Sequence, residues 1–419
     1  DMDFFRFLMS DVLSEPAVLV GLIALIGLIA QKKPVTECIK GTVKTIMGFV
    51  ILGAGAGLVV SSLGDFANIF QHAFGIQGVV PNNEAIVSVA QKSFGKEMAM
   101  IMFFAMVINI LIARFTPWKF IFLTGHHTLF MSMMVAVILA TAGMTGITLI
   151  AVGSLVVGVA MVFFPAIAHP YMKKVTGSDD VAIGHFSTLS YVLAGFIGSK
   201  FGNKEHSAED MNVPKSLLFL RDTPVAISFT MSIIFLVTCL FAGADVVKEL
   251  SGGKNWFMFS IMQSITFAAG VYIILQGVRM VIAEIVPAFK GISDKLVPNA
   301  RPALDCPVVF PYAPNAVLVG FLSSFAAGLI GMFMLYLLNM TVIIPGVVPH
   351  FFVGAAAGVF GNATGGRRGA ILGAFAQGLL ITFLPVFLLP VLGDIGFANT
   401  TFSDADFGAL GILLGIIVR

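Results

Sequence analysis

Long apolar runs, each bounded by short polar stretches, are the main pattern along this chain. Most are close to the roughly 20 residues that an α-helix needs to cross the apolar part of a bilayer. The runs cover residues 16–30, 46–63, 99–112, 120–143, 145–168, 223–243, 257–285, 316–340, 347–360 and 370–392, with a final run of about half a crossing at 407–418. The pattern predicts an all-α polytopic membrane protein.

Four apolar regions are interrupted where an unbroken span would be expected. Each mixes apolar residues with proline, glycine or a lone polar group. Non-helical backbone at membrane depth is tolerated only where it is buried in protein or lines a cavity, and broken helices of this kind mark transporter binding sites. We therefore expect re-entrant or broken segments that line a site at 78–89, 181–198, 303–319 and 341–361.

A faint internal repeat accompanies these interruptions. The segment 41–44 (GTVK) precedes 81–82 (PN) by about the same distance as 277–279 (GVR) precedes 314–315 (PN). An inverted repeat of two halves would explain this spacing, because many transporters are built that way, and chance similarity is the alternative.

Composition excludes a soluble protein. Of the 419 residues, 58% are hydrophobic and 11% are charged, whereas soluble domains carry about 25% charged residues. So few charges cannot cover a water-exposed surface, and the apolar residues supply about ten or eleven crossings. The net charge of +2 gives no electrostatic basis for binding nucleic acid. Cys38, Cys239 and Cys306 show no CxxC spacing, so neither a disulfide framework nor a zinc site is indicated.

Basic residues predict the orientation of the chain in the membrane. Lysines follow the first apolar run at 32–33, and further basic residues lie at 173–174 and across 200–221. Because cytoplasmic loops carry the excess of Lys and Arg, these loops are predicted to be cytoplasmic and the N-terminus periplasmic. The most polar stretch is 202–216, which is either a contact for a soluble partner or an ordinary solvated loop.

Ionisable side chains inside the apolar runs are the candidates for chemistry, since burying such groups without a partner is costly. His126 and His127 lie in the run FIFLTGHHTLFMSMM. Adjacent helical residues point in different directions, so we expect one to face a substrate and the other to tie helices together. A neutral imidazole both donates and accepts a hydrogen bond, which suits a substrate with hydroxyl and carbonyl oxygens.

His185 and Asp305 lie in two of the interrupted regions. Gly184 allows the backbone beside His185 to approach a ligand, although His185 could instead be structural. A buried Asp305 must be neutral, paired, or accepting hydrogen bonds from the hydroxyls of a ligand. Arg279 and Glu284 are five positions apart, off the ideal helical pairing distance, and are expected to have structural partners on other helices.

Signatures of soluble enzymes are missing, since the chain has no HExxH, GxSxG or GxxxxGK[ST] motif. The glycines of 53–57 and 354–358 lie inside apolar runs and predict close helix packing rather than a nucleotide loop. The histidines that lie near predicted loops, and are expected to be solvated, are His72, His169 and His206.

Five segments, taken together, carry a family likeness: IKGTVKTIMGFVILGAGAG (39–57), FLTGHH (122–127), IGHFS (183–187), LQGVRMVIAEIVPAFKGIS (275–293) and ALDCPVVFPYAPNAVLVGF (303–321). They resemble the ascorbate-type enzyme IIC permeases of the bacterial phosphotransferase system. Each motif is short, but they match in order along essentially the whole chain.

The resemblance implies a homodimer of about eleven transmembrane helices per protomer that carries L-ascorbate across the inner membrane. Each protomer is expected to have a substrate-binding core and a V-shaped dimerisation domain. The whole chain, 1–419, is then a single membrane-embedded IIC domain with no IIA or IIB domain and no cofactor. A separate soluble IIB protein carrying a phosphocysteine, supported by IIA, is expected to phosphorylate the substrate on the cytoplasmic side.

The resemblance also assigns binding residues. The family's residue pair falls on Asn83 and Glu84, its two Gly-His motifs fall on His126 and His185, and its Asp-Cys motif falls on Asp305. This chain departs from the family at that pair, where Thr-Tyr is usual, and at Phe130 and Phe186, where Gln is usual. These departures leave the exact substrate open. The full set expected to bind substrate is Asn83, Glu84, His126, His127, Phe130, His185, Phe186 and Asp305.

Two other classes of protein fit the same residues. An ion-coupled secondary transporter of ascorbate or a related sugar acid would use Glu84, Asp305 or a histidine as its proton or sodium site. An intramembrane hydrolase built on His and Asp would need an activated nucleophile, and the sequence offers no obvious one. We expect the permease subunit, with no catalytic residue and no metal site of its own.

Overall fold

The structure is a computed structural model that describes residues 1–12, 15–75, 78–81, 83–212, 215–216, 219, 222–397 and 400–419. Helices account for most of this part of the chain. The described α-helices are α1 (Met2–Phe7), α2 (Pro16–Ala30), α3 (Val35–Phe74), α4 (Asn83–Phe115), α5 (Gly125–Thr141), α6 (Gly146–Thr176), α7 (Thr188–Phe201), α8 (Thr223–Ala242), α9 (Ala244–Leu250), α10 (Trp256–Lys295), α11 (Pro314–Leu337), α12 (Val347–Leu388) and α13 (Ala405–Val418).

Short parallel strands occupy the interruptions between helices. A three-stranded sheet has the order β2 (Phe120–Phe122), β4 (Arg301–Leu304), β3 (Ala182–Ile183), and β1 (Val80–Pro81) pairs in parallel with β5 (Thr400–Thr401). The structure also contains a single-turn 3-10 helix at Ala208–Asp210, longer 3-10 helices at Cys306–Tyr312 and Leu389–Phe397, and a π-helical turn at Leu8–Val12. None of the strands exceeds four residues, so the fold remains all-α.

Four described helical stretches are long and apolar enough to cross a membrane: Lys96–Phe115, Gly146–Thr176, Pro314–Leu337 and Val348–Gly393. The helices α8 and α9 form a further candidate, bent by 109°. The stretch that contains α12 is broken at Gly366, whose φ of 63° is left-handed, so α12 comprises two helical halves. The chain is therefore an all-α polytopic membrane protein, as its apolar pattern predicts.

The predicted interruptions are confirmed, and the structure adds to them. Each of the four predicted regions contains a strand or strand bridge followed by a helix start. The prediction of one continuous span at 120–143 is wrong, because β2 occupies its beginning and α5 starts only at Gly125. Besides the break at β2, another interruption lies before α13, where the apolar pattern did not predict the strand β5.

The chain divides into two compact units. The first comprises Asp1–Ile46, Val79–Asp210 and Ala283–Arg419. In its core, α4 packs on α5 and α6, while α7 and α11 pack on α12. Glycines 354 and 358 lie directly against α11, where a Cβ would collide with Ser324 or with the backbone of Gly320, so the close packing predicted for 354–358 is confirmed.

The second unit comprises Met47–Gly78 and Met211–Ile282. Its small core includes Ile69, Cys239, Val247 and Phe259. The Ser62 hydroxyl ties α3 to α10 by donating to the Gln263 carbonyl oxygen over 2.9 Å. A Cβ at Gly57 would meet no described atom within 4 Å, so the close packing predicted for 53–57 is not found at that residue.

The inverted repeat remains a prediction, with one new observation in its favour. The helices α3 and α10 each contain 40 residues. In each case a short strand and then a long membrane-length helix follow along the chain. The helix α3 begins in the first unit and ends in the second, whereas α10 begins in the second unit and ends in the first.

Candidate functional site

Three candidate residues follow the carboxyl ends of the three-stranded sheet. His126 comes after β2, His185 comes two residues after β3, and Asp305 comes directly after β4. The strands are parallel and β4 lies between the other two, with Phe122 paired to Ala303 and Ile183 paired to Leu304. Because parallel strands end at the same edge of a sheet, the side chains that follow them are brought together.

The paired strands β1 and β5 are likewise each followed by a polar residue. Asn83 follows β1, and Asp404 comes three residues after β5. The Asn83 Oδ1 atom accepts a hydrogen bond of 3.0 Å from the Ser403 backbone N–H, and this bond fixes the turn before Asp404. The Asn83 side chain therefore holds the turn at Ser403, a role that the sequence did not indicate.

Five side chains meet at these strand ends, and we call them the histidine–aspartate cluster: His126, His127, His185, Asp305 and Asp404. Asp305 lies between two imidazoles, with His126 Nε2 at 3.5 Å from Oδ2 and His185 Nε2 at 3.8 Å from Oδ1. Asp404 Oδ2 likewise lies 3.7 Å from His127 Nε2 and 3.6 Å from His185 Nε2. His185 therefore faces both carboxyl groups.

The cluster has an inner and an outer part. His127, His185 and Asp404 are nearly fully buried, whereas the side chains of His126 and Asp305 are 21% and 18% exposed. The nitrogen-to-oxygen distances of 3.5–3.8 Å are longer than those of direct hydrogen bonds. Oxygens of a ligand could therefore insert between the imidazoles and carboxylates, entering past the outer pair.

Hydrogen bonds fix the ring orientations. The Phe186 backbone N–H donates to His127 Nδ1 over 3.1 Å, so in the neutral ring the proton is on Nε2, which faces Asp404. Tyr191 Oη lies 2.8 Å from His185 Nδ1. If the tyrosine hydroxyl donates there, His185 presents an Nε2–H to the two carboxyl groups, which is the arrangement that these carboxyl groups favour.

Helix N-termini surround the cluster and contribute positive partial charge. The helices α5, α7 and α13 all begin within a few residues of a cluster member, and each N-terminus is equivalent to roughly half a positive charge. The Asp305 carboxylate caps the 3-10 helix Cys306–Tyr312, accepting from the Cys306 N–H over 2.7 Å. These dipoles favour an anionic ligand.

A further carboxylate caps α7 from another part of the chain. Asp406 Oδ2 accepts from the Thr188 N–H over 2.9 Å and from the Thr188 hydroxyl over 2.7 Å, and Oδ1 accepts from the Leu189 N–H over 2.9 Å. Its own N–H donates to the Phe186 carbonyl oxygen over 3.1 Å. Asp406 thereby links the start of α13 to the turn that carries His185.

Aromatic rings form one wall of the site. The Phe130 ring lies 5.8 Å from that of His126 and 6.0 Å from that of His127. Phe186 is fully buried and stacks on Phe122 at 4.4 Å. The two phenylalanines that replace glutamines of the resembled family therefore supply apolar packing around the imidazoles rather than hydrogen bonds.

Gly184 permits the close approach on which this geometry depends. A Cβ at this position would overlap the backbone carbonyl of Ala303, and the Gly184 N–H donates to the Leu304 carbonyl oxygen over 2.7 Å. Only glycine lets β3 and β4 lie so close immediately before His185 and Asp305.

Two groups of donors in the cluster have spacings that a metal ion could bridge: His127, His185 and Asp404, and His185, Asp305 and Cys306. The hydrogen bonding of His127 argues against a metal ion in the first of these groups. A metal-binding imidazole normally donates from its other nitrogen, yet His127 accepts at Nδ1 and therefore carries its proton on Nε2, the atom that faces Asp404. The arrangement is better suited to donating hydrogen bonds to a ligand.

The structure brings together His126, His127, His185 and Asp305, with Asn83 behind them. The side chains of Glu84, Arg279 and Glu284 lie outside the described part of the structure. Sequence reasoning did not identify the two aspartates, Asp404 and Asp406, or Tyr191. The signal available for the aspartates was the segment 400–407 (TTFSDADF), in which two acidic residues stand between buried phenylalanines.

One histidine outside the cluster differs from expectation. The prediction that His169 is solvated is wrong: it is buried, and its Nε2 lies 2.7 Å from Asp179 Oδ1. His350 is buried as well, with Nδ1 at 2.7 Å from the Ser324 hydroxyl, to which Gln377 also donates. His72 and His206 are exposed as predicted.

A polytopic helical protein whose ionisable side chains gather at strand-capped helix breaks belongs to the class of membrane transporters of polar solutes. Residues 11–406 match the family of PTS system sugar-specific permease components, EIIC-GAT. The chain belongs to this family, and it is a multi-pass inner-membrane transport subunit.

A curated relative agrees with this membership. The chain is similar to the "Ascorbate-specific PTS system EIIC component" of Mycoplasma pneumoniae, with 28% identity over 459 aligned positions that cover 96% of this chain and 67% of that protein. The resemblance identified from five short motifs is therefore confirmed. Neither the ion-coupled transporter nor the hydrolase is favoured by these matches.

Proposed function

We propose that this chain binds L-ascorbate in the histidine–aspartate cluster and presents it for phosphorylation by a separate soluble IIB protein. The observation that carries the proposal is the cluster itself: three imidazoles and two carboxyl groups lie at the ends of paired strands, among helix N-termini and against phenylalanine rings. The name of the relative in Mycoplasma pneumoniae supports ascorbate as the substrate.

Ascorbate fits the chemistry of this cluster. It is a compact anion with ring oxygens and hydroxyls close to one plane. The Nε2–H groups of His127 and His185 suit its oxygens, and helix N-termini stabilise its negative charge. Asp305 is better placed to accept from a substrate hydroxyl than to face the enolate, and Asp404 orients the two inner imidazoles.

The predicted neighbours of the cluster have different roles in this proposal. Asn83 acts through Ser403 rather than directly, because its amide oxygen is already bonded to that backbone. Phe130 and Phe186 enclose the ligand with apolar rings. Glu84 remains a predicted contact of the substrate, adjacent to Asn83 at the start of α4.

Phosphoryl transfer requires a second protein in this proposal. Cys38, Cys239 and Cys306 are all buried. A phosphocysteine carrier needs an accessible thiolate beside donors for the phosphate. We therefore assign residues 1–419 as one IIC domain that depends on soluble IIB and IIA components.

The proposed assembly is a homodimer. We assign the first compact unit to the substrate-binding core, because it contains the whole cluster, and the second to the V-shaped dimerisation domain. Large apolar side chains of the second unit are half exposed in the single chain, as expected for a surface covered by lipid or a partner, including Phe229, Ile233 and Leu240. We assign the N-terminus to the periplasm, because the basic loops are of the kind that stays in the cytoplasm.

Uptake of labelled ascorbate into vesicles tests the function. With phosphoenolpyruvate and the complete set of soluble phosphotransferase proteins, we expect ascorbate phosphate to accumulate inside, and omission of IIB should stop it. Uptake of unmodified ascorbate that follows a proton or sodium gradient would contradict the proposal. A lack of uptake of ascorbate, together with phosphorylation of another sugar acid, would overturn the substrate assignment alone.

Titration of the purified permease in detergent tests the site. Asp305→Asn and His185→Ala should each weaken ascorbate binding about tenfold to a hundredfold, since each removes a charge-assisted hydrogen bond worth roughly 1.5–3 kcal/mol. Asp210→Asn and His72→Ala change exposed residues of the same types and serve as matched controls. Unchanged affinity in both site variants would remove these residues from the site.

A further inference from the structure

The strand β2 lies at the edge of its sheet, whose order is β2, β4, β3. Successive residues of a strand direct their backbone groups to opposite edges. Leu123 faces β4, since its N–H donates to the Ala303 carbonyl oxygen over 3.0 Å. By the same alternation, Phe120 and Phe122 direct their backbone groups to the other edge, away from β4.

The side chain of Asn109, on α4, occupies this outer edge. Its Nδ2 group donates to the Phe120 carbonyl oxygen over 2.7 Å, and its Oδ1 atom accepts from the Phe122 N–H over 3.0 Å. A residue of a neighbouring parallel strand would bond the same two groups through its own N–H and C=O. Because an asparagine amide also combines one acceptor oxygen with a donor nitrogen, it takes the place of one residue of a fourth strand.

The surroundings of this contact are apolar. Asn109 is buried, as are Phe120 and Phe122. Phe120 belongs to a buried hydrophobic cluster, and Ile112, almost one helical turn after Asn109, packs against that cluster. A buried donor or acceptor that loses its partner costs free energy, because apolar side chains cannot replace the bond. If the amide were removed, β2 would therefore have to move in order to satisfy these two backbone groups.

The strand held by Asn109 leads directly into the histidine–aspartate cluster. β2 ends at Phe122, and α5 begins three residues later with Gly125, His126 and His127. The inner edge of β2 pairs with β4, which leads to Asp305. A displacement of β2 against β4 would therefore change the 3.5 Å separation between His126 Nε2 and Asp305 Oδ2.

We propose that Asn109 is a positioning residue for substrate binding. Its amide completes the outer edge of the sheet, fixes β2, and thereby sets where His126 and His127 stand relative to Asp305. This inference rests on the proposed function, in which the cluster binds the substrate. Asn109 bonds the edge of β2 opposite to β4, so it acts on the ligand through the strand rather than by contact.

Two measurements on purified permease in detergent test this proposal: nuclear magnetic resonance of isotope-labelled histidine rings, and titration with ascorbate. His126→Ala and His127→Ala assign the ring resonances. Asn109→Leu removes both hydrogen bonds at similar volume, so it should shift the resonances of both histidines and weaken ascorbate binding about tenfold. Asn109→Ser serves if the leucine variant does not fold; its short hydroxyl cannot bond both backbone groups, and binding should weaken about threefold.

Asn315→Leu is the matched control. Asn315 is also a buried asparagine that bonds the backbone, since its Nδ2 group donates to the Ala208 carbonyl oxygen over 3.1 Å. Ala208 lies in a 3-10 helix rather than in the sheet. The control variant should lower the melting temperature, yet leave the resonances of His126 and His127 and the affinity for ascorbate unchanged.

The outcomes separate this inference from the proposed function. Wild-type affinity in the Asn109 variants, together with weakened binding in His126→Ala, would overturn the positioning role alone. Equal effects of Asn109→Leu and Asn315→Leu on the histidine resonances would overturn it too, because they would show a general loss of structure. If His126→Ala and His127→Ala bind ascorbate as tightly as wild type, the site in the proposed function fails.

Discussion

Replacing Asp406 by asparagine should loosen the start of α7 and, with it, the position of His185. The buried Asp406 carboxylate accepts three hydrogen bonds from two residues of α7. It acts as the cap of that helix, because the N-cap residue Ser187 makes no side-chain capping bond of its own. The variant keeps the shape of the side chain and changes only its charge and one acceptor.

The size of the effect follows from the geometry. If the new amide nitrogen replaces Oδ2, it faces the Thr188 N–H; if it replaces Oδ1, it faces the Leu189 N–H. In either orientation one buried backbone donor loses its acceptor, at about 1–3 kcal/mol, and the remaining bonds lose their charge assistance. We expect a destabilisation of about 2–4 kcal/mol and roughly tenfold weaker ascorbate binding.

Thermal unfolding in detergent can be followed with a thiol-reactive dye, since all three cysteines are buried until the protein unfolds. The matched control is Asp222→Asn. Asp222 caps α8 at an exposed position, accepting from the Val225 N–H over 3.2 Å, and Asn is as good a cap as Asp, so the change should be near zero. If Asp406→Asn melted within about 1 °C of wild type and bound ascorbate equally well, the capping argument would be refuted.

Three other changes have defined outcomes. Asp404→Asn should weaken ascorbate binding at least tenfold without changing the melting temperature by more than a few degrees, as titration and melting of one preparation would show. Gly184→Ala should destabilise the protein by about 1–3 kcal/mol through overpacking, whereas Gly64→Ala, with no atom near its Cβ, should be harmless. Arg301 hydrogen-bonds Asp179 and, with the adjacent histidine, lowers the pKa of Asp179 to about 2; Arg301→Gln should remove about 1 kcal/mol or less at this exposed pair. That deficit should be full above about pH 4 and vanish as the pH falls towards 2, because the lowered pKa stabilises only the ionised carboxylate.

Sequence reasoning identified residues that the structure brings together wherever an ionisable group interrupts an apolar run. His126, His185 and Asp305 are ionisable groups within such runs, and Gly184 beside one of them is required by the contact with Ala303. Burial of these groups is costly enough that their mere presence indicates a site. The order of hydrophobic runs likewise predicted most helices, since a membrane leaves the backbone few alternatives.

The remaining features depend on pairing between distant parts of the chain. Strands of two to four residues have no periodicity to detect, so β2 was hidden inside an apparently continuous span. Asp404 and Asp406 lie close to a short final apolar run, where acidic residues resemble an ordinary helix start. Their positions depend on distant segments: β5 pairs with β1, more than 300 residues earlier in the chain, and Asp406 caps α7, more than 200 residues earlier.

The paired strands have a consequence for how such a protein can work inside a membrane. Each break in a helix frees backbone donors and acceptors, which lipid cannot satisfy. Here the breaks satisfy one another, since Phe122 pairs with Ala303, and Ile183 pairs with Leu304. All three strands belong to the first unit, so these backbone hydrogen bonds would stay intact if that unit moved as one body within the bilayer.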